Sequence, residues 1–219
     1  MRGRPRSSPV VLVQRGPCMR DALLQRDQYA KGGIGRWYWD YRDRRTLSFI
    51  GKEKVILDVG CGEGITLERI LKKFPDGIIQ GIDDSAEKVQ ICRNLGLPAR
   101  VGNVYDLAFA ANSFDCCLLL EVIEHLKDPS RAFGEIHRVL KKGGLLLLIF
   151  PNDLLFKAAR LCFFKLAEAF APSGHVRQWT PGAMERALKT NGFEVQEMLC
   201  LPFGLWWFSL HCLVAARKK

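Results

Sequence analysis

Residues 57–64 read "LDVGCGEG": an apolar run closes on Asp58, and Gly60, Gly62 and Gly64 then follow at alternate positions. Glycine at that density lets a chain turn sharply and lets another molecule approach the backbone closely. Apolar residues at Ile65, Leu67, Ile70 and Leu71 predict a helix that opens directly after the turn. Strand, glycine turn and helix N-terminus form the arrangement that binds nucleotide-like ligands at the carboxyl edge of a parallel sheet. A dinucleotide site uses GxGxxG, whereas the spacing here is G-C-G-E-G. Asp58 and Glu63 beside the loop would serve a pyrophosphate badly. They suit a ligand that carries an ammonium group and no phosphate.

The elements that must hold this loop alternate along the chain. Strand-like runs fall at 55–58, 78–82, 99–101, 116–120 and 145–150, with helical patterns at 65–73, 86–95 and 130–141 between them. Such alternation predicts an α/β fold with a parallel sheet and helices on both faces. "KKGG" at 141–144 is read as the basic, glycine-marked end of the last of these helices. The apolar C-terminal stretch is interrupted by Pro202, Gly204 and His211, so it is read as two strands, 194–201 and 211–216, rather than as a membrane span.

At 219 residues the chain has room for one substantial core. Eight cysteines include no CxxC pair, which suits reduced, buried thiols and a cytoplasmic location better than a disulfide framework or a zinc site. Residues 1–54 carry thirteen Lys/Arg against five Asp/Glu and so hold most of the net charge of +10. A solvated basic segment is the preferred account; attraction to an anionic partner is the alternative. Residues 1–18, rich in Arg, Pro, Ser and Gly, are expected to be a disordered extension, with 19–219 a single domain.

"LDVGCGEG" resembles the first motif of the class I S-adenosylmethionine-dependent methyltransferases. "GIDDS" at 81–85, "GNVYDLAFAANSFDCCLLLEVIEHLKDP", "EIHRVLKKGGLLLLIFPN" and "GHVRQWTPGAMERALKTNGFEV" resemble later landmarks in order and spacing. The last is similar to the group that includes quinone-biosynthesis O-methyltransferases. The resemblance implies a Rossmann-like, seven-stranded, mostly parallel sheet whose last strand is antiparallel. It implies S-adenosylmethionine as cofactor and S-adenosylhomocysteine as product. Asp58 and the backbone of Gly60, Cys61, Gly62 and Gly64 would hold the methionine portion, although Gly64 also has a plain packing account. Asp83 would take the ribose hydroxyls, Asn103 and Val104 would lie along the adenine, and Glu121 would border the sulfonium. Asp84 is read as a helix cap, and Asp115, at the far end of its strand, is given no cofactor role.

Methyl transfer needs alignment and often a base. The candidates are Glu121, His125 and His175, with Glu124 beside them in "EVIEH". Two Glu and two His could also hold a divalent metal, as Glu121, Glu124, His125 and His175, in a set that resembles the metal site of small-RNA 2′-O-methyltransferases. A histidine base without metal is preferred. His137 is read as a core-edge residue and His211 as a strand residue.

An apolar helical insertion near 152–174 and the aromatic run Trp206–Phe208 suggest a lid and a hydrophobic acceptor pocket. The expected reaction is therefore O-methylation of a hydrophobic small molecule or lipid-like precursor, with peripheral membrane contact as a further expectation. A metal-assisted RNA 2′-O-methyltransferase and a non-catalytic S-adenosylmethionine-binding adaptor are the rivals. No recognised nucleic-acid-binding module accompanies the basic N-terminus. In "KGGIGRWYWDYRDRR", Ile34, Trp37, Tyr38 and Tyr41 lie at helical spacing and are expected to pack on the sheet.

Overall fold

The computed structural model describes residues 25–153, 155 and 175–219. The expected extension over 1–18 and nearly all of the expected insertion at 152–174 lie outside these residues. Helices α1 (Gln25–Ala30) and α2 (Gly33–Leu47) precede the first strand, β1 (Val55–Val59). Then come α3 (Ile65–Lys73), β2 (Ile78–Asp83), α4 (Ala86–Asn94), β3 (Ala99–Val101) and β4 (Phe114–Leu120). A short 3₁₀ turn at Ile123–His125 leads to α5 (Pro129–Val139) and β5 (Leu140–Pro151). The chain closes with α6 (Pro181–Thr190), β6 (Phe193–Leu201), a 3₁₀ turn at Trp206–Phe208 and β7 (His211–Lys218).

The seven strands form one sheet in the order β3-β2-β1-β4-β5-β7-β6. β1 to β5 run parallel, and β7 is inserted antiparallel between β5 and β6. Side chains alternate between two cores, as the period of two requires. Ile56, Leu118 and Leu147 pack with Leu67, Ile70, Val89 and Cys92 of α3 and α4. Leu57, Leu119 and Leu148 pack on the other face with Phe133 and Ile136 of α5 and Met184 and Leu188 of α6. Burial on both faces explains why the central strands read as continuous apolar runs.

Three expectations change at the level of elements. "KKGG" does not end a helix: α5 stops at Val139, and 141–144 lie inside β5, where the register with β4 shifts between Phe114 and Cys116. Ser85, not Asp84, caps α4 by accepting a hydrogen bond from Lys88 N (3.3 Å). On α2, Tyr38 is buried, whereas Ile34 and Trp37 are exposed and Arg42, Asp43 and Thr46 are buried in their place. The helix turns a polar stripe inward, which an apolar-periodicity argument cannot find. Among the described residues no helix is long and apolar enough to cross a membrane.

Candidate active site

The carboxyl ends of β1, β2, β4 and β5 face a cavity of about 1120 Å³ walled on one side by α2. The glycine loop forms part of its wall. Gly60 has φ +77°, and a Cβ there would lie 2.3 Å from Val122 Cγ2, so both conformation and packing demand glycine. Gly60 N and Cys61 N donate to Ile82 O, and Gly62 N donates to Asp83 Oδ2 (2.8 Å). Asp83 also accepts from Ser85 N through Oδ1 (3.0 Å). An ionised carboxylate offers about four acceptor positions, so these two bonds fix Asp83 and leave acceptor capacity.

Asp58 is buried at the end of β1, and its Oδ2 has no hydrogen-bond partner. Burial, with the nearby Asp43, Cys92 and Asp83, pushes its carboxyl up to about 7. Such a group is poised to ionise when a cation arrives. Asp58, Gly60, Cys61, Gly62, Asp83, Asn103, Val104, Glu121, His125 and His175 all line the cavity. Gly64 does not. A Cβ there would meet Leu97 Cδ1 at 2.6 Å and Cys92 Sγ at 2.8 Å, so its place is set by α3 packing close to its neighbours. Glu63 likewise turns away from ligand duty: its carboxylate accepts Gln25 N and Arg26 N (2.9 Å each) at the start of α1. Asp84, read as a cap, lines the cavity instead.

Glu121 follows β4 with φ +55°, a left-handed conformation uncommon for a residue with a side chain. Its Oε1 accepts from Arg42 Nη1 and pairs with His211 Nε2, both at 2.6 Å. Tyr38 Oη lies 2.7 Å from His211 Nδ1, and Arg42 also bonds Asp43. Asp43 in turn holds Thr66 Oγ1 (2.9 Å) and Arg69. Burial pushes the Glu121 carboxyl up, but Arg42 and His211 together outweigh it and hold it well below the usual carboxylate range. Arg42, Asp43 and the site position of His211 escaped the sequence reading. No spacing signal separates Arg42 and Asp43 from the other charged residues of α2, Arg36, Asp40, Arg44 and Arg45.

Across the cavity, ligand-capable atoms of Glu124, His125 and His175 lie within 4.8 Å of one another. Glu121 does not join them, so the alternative four-residue metal set is met here by three residues. Glu124 is buried, its Oε2 has no hydrogen-bond partner, and burial pushes its carboxyl up to about 8. His175 Nδ1 pairs with Asp153 Oδ1 (2.7 Å), a partner the sequence reading did not name. The backbone of Val176 N donates to Glu124 O (2.8 Å), which ties the His175 segment to the 3₁₀ turn. His137 instead packs edge-on against Phe193, and Asp115 holds Lys54 N, Val55 N and Lys141 at the opposite end of β4.

The family described as "Methyltransferase domain" matches residues 57–148. A demethylmenaquinone methyltransferase of Symbiobacterium thermophilum is 28% identical over 147 residues, covering 63% of this chain and 59% of the relative. The ajmaline N-methyltransferase of Rauvolfia serpentina is 34% identical over 106 residues, covering 45% and 36%. A 2-methyl-6-phytyl-1,4-hydroquinone methyltransferase of Oryza sativa is 29% identical over 132 residues, covering 58% and 38%. The chain spans 30% to 59% of the length of five curated relatives that it matches. The fold is also that of the geranyl diphosphate C-methyltransferase of Streptomyces coelicolor, solved with Mg2+, geranyl diphosphate and S-adenosylhomocysteine. That structure is 17% identical with a TM-score of 0.62, covering 82% of this chain and 77% of that one. The [4+2]-cyclase SpnF shares the fold at 19% identity and a TM-score of 0.61, covering 82% and 80%.

Proposed function

From a chain that carries a class I S-adenosylmethionine-dependent methyltransferase domain, we propose a transferase that methylates a hydroxyl group of a hydrophobic small molecule. The observation that carries the reading is the glycine loop flanked by two carboxylates, Asp58 and Asp83, where phosphate would be repelled and an ammonium group welcomed. Asp58 and the backbone of Gly60, Cys61 and Gly62 hold the methionine portion. Asp83 takes the ribose hydroxyls, and Asn103 and Val104 lie along the adenine. Glu121, kept ionised by Arg42 and His211, faces the positive sulfonium. Bound S-adenosylmethionine supplies a methyl group already activated on sulfur.

The protein's part is alignment and removal of one proton. With the methyl donor held there, the acceptor oxygen would take the methyl group, the carbon–sulfur electron pair would stay with sulfur, and His175 would take the hydroxyl proton. Its Nδ1–H donates to Asp153, which leaves Nε2 as the basic nitrogen. His125 lies beside it, with ring centroids 4.8 Å apart. A hydrophobic acceptor is supported by two relatives named for demethylmenaquinone and a phytyl hydroquinone.

A second reading adds a divalent cation. The buried, unpartnered Glu124 Oε2 with two imidazoles is a fitting donor set, and Asp153 would orient His175 as an outer-shell carboxylate. Such an ion would acidify the acceptor hydroxyl. Mn2+ titration followed by electron paramagnetic resonance, on the protein and on Glu124→Gln, separates the two readings.

The primary test is calorimetric titration with S-adenosylhomocysteine at pH 6 in buffers of different ionisation enthalpy. Asp58 holds its proton there, so an incoming ammonium group releases close to one proton, and Asp58→Asn abolishes that release. Absence of binding by the folded protein would remove the reading.

A further inference from the structure

Six of the ten large apolar side chains most exposed among the described residues fall on two segments, α2 and the connection from β6 to β7. Phe203, Leu205, Trp207 and Phe208, on the connection from β6 to β7, are between 63% and 76% exposed. Ile34 and Trp37 on α2 are 86% and 58% exposed. Scattered exposed hydrophobic residues are ordinary, but a contiguous group marks an interaction site. These two elements are neighbours: Tyr38 Oη bonds Leu201 O (3.4 Å), and Trp37 stacks on Tyr41, which packs against the cluster holding Leu201.

Between α2 and the connection lies a second cavity of about 450 Å³, lined by Ile34, Gly35, Tyr38, Trp39 and Leu210 among others. It reaches Glu121 and His211, which also line the larger cavity. Ile34 of the exposed group and Leu210 of the connection thus both line a cavity that reaches the candidate reaction centre. Cations accompany the exposed group. Arg44 and Arg45 are exposed further along α2. Trp37, Tyr41 and Arg44 stand at i, i+4 and i+7, on one helical face.

We propose that this face docks on an anionic lipid bilayer, with Trp207, Phe208 and Trp37 entering the interface and Arg44 and Arg45 meeting the headgroups. Aromatic side chains beside Arg are the composition that a membrane surface selects, and anionic headgroups complement the charge. A protein partner seated here would close the second cavity. A bilayer covers the apolar side chains and leaves a lateral entrance for a hydrophobic acceptor. That entrance rests on the methyl-transfer reading; the docking itself does not.

The test is co-sedimentation of the full chain with vesicles of phosphatidylcholine, with and without phosphatidylserine. Expected is binding that strengthens with phosphatidylserine, weakens with salt, and falls about tenfold in the double variant Trp207→Ser, Phe208→Ser. S-adenosylhomocysteine affinity should be unchanged in that variant, because neither side chain lines the larger cavity. No sedimentation, or equal sedimentation of the variant, overturns the proposal. So does a lipid-free dimer that the same variant dissolves, which would assign the face to a second copy. Vesicle binding and cofactor binding are read separately, so failure of one reading is not mistaken for failure of the other.

Discussion

Glu121 and Glu124 stand three residues apart on the wall of one cavity, and their surroundings hold them in opposite states. On the α2 side, Glu121 meets Arg42 and His211 and is kept ionised. On the 3₁₀ side, Glu124 has an unpartnered buried oxygen and holds its proton to about pH 8. A charge-paired network fixes charge and shape and has less left to exchange. An underpaired cluster retains the capacity to take a proton or a cation. The two regions therefore differ in what they can still bind or exchange.

The sharpest way to break this contrast is His175→Ala. Loss of the proposed base is expected to lower kcat by roughly 10²–10⁴-fold, with S-adenosylhomocysteine affinity retained. Transfer of a labelled methyl group, paired with calorimetry, reads both quantities. On the other side, Arg42→Met strips the cation from Glu121 and Asp43. Breaking a buried pair in this way costs about 3–5 kcal/mol of stability, measured by urea unfolding. If that variant were as stable as the parent, the paired network would not be the structural half of the site.

The two glutamates also predict opposite pH responses. Glu124 ionises at its ordinary value of about 4.5 when unfolded and near 8 when folded. Its contribution is present below pH 4.5 and is lost as pH rises toward 8, and Glu124→Gln removes that slope. Glu121, with its folded carboxyl held below the ordinary value, contributes above pH 4.5 and loses that contribution as pH falls. Stability curves of the parent, Glu124→Gln and Glu121→Gln across this range test both signs. The smallest effect is expected of Tyr38→Phe. It removes the hydroxyl that meets His211 Nδ1 and costs about 0.5–1.5 kcal/mol, seen as a small shift of the urea midpoint.

Much of the fold was legible because its signals are local. Strand β3 and helix α3 occupy the residues that their apolar patterns predict, and most other boundaries differ by one or two residues. β5 is the exception: a strand passing through "KKGG" depends on pairing with β4 and on a register shift, which no local pattern encodes. Helix α2 was misjudged because its buried face is polar. Arg42, beside Asp43 on its own helix, is favourable inside only once Glu121 has been carried to it by the end of β4.

The sequence by itself determined the α/β order, the glycine loop with its two acids, and the placing of Asp83 at the end of the second strand. Each follows from residue type and short-range spacing, and backbone geometry converts these directly into turns and strand ends. Tertiary structure alone decided which of two nearby glutamates would be charged. It brought His211 and Arg42, 169 residues apart, to one carboxylate, and left Glu124 beside two imidazoles with an oxygen unpaired. Protonation depends on what surrounds a group in space, and those neighbours come from distant parts of the chain.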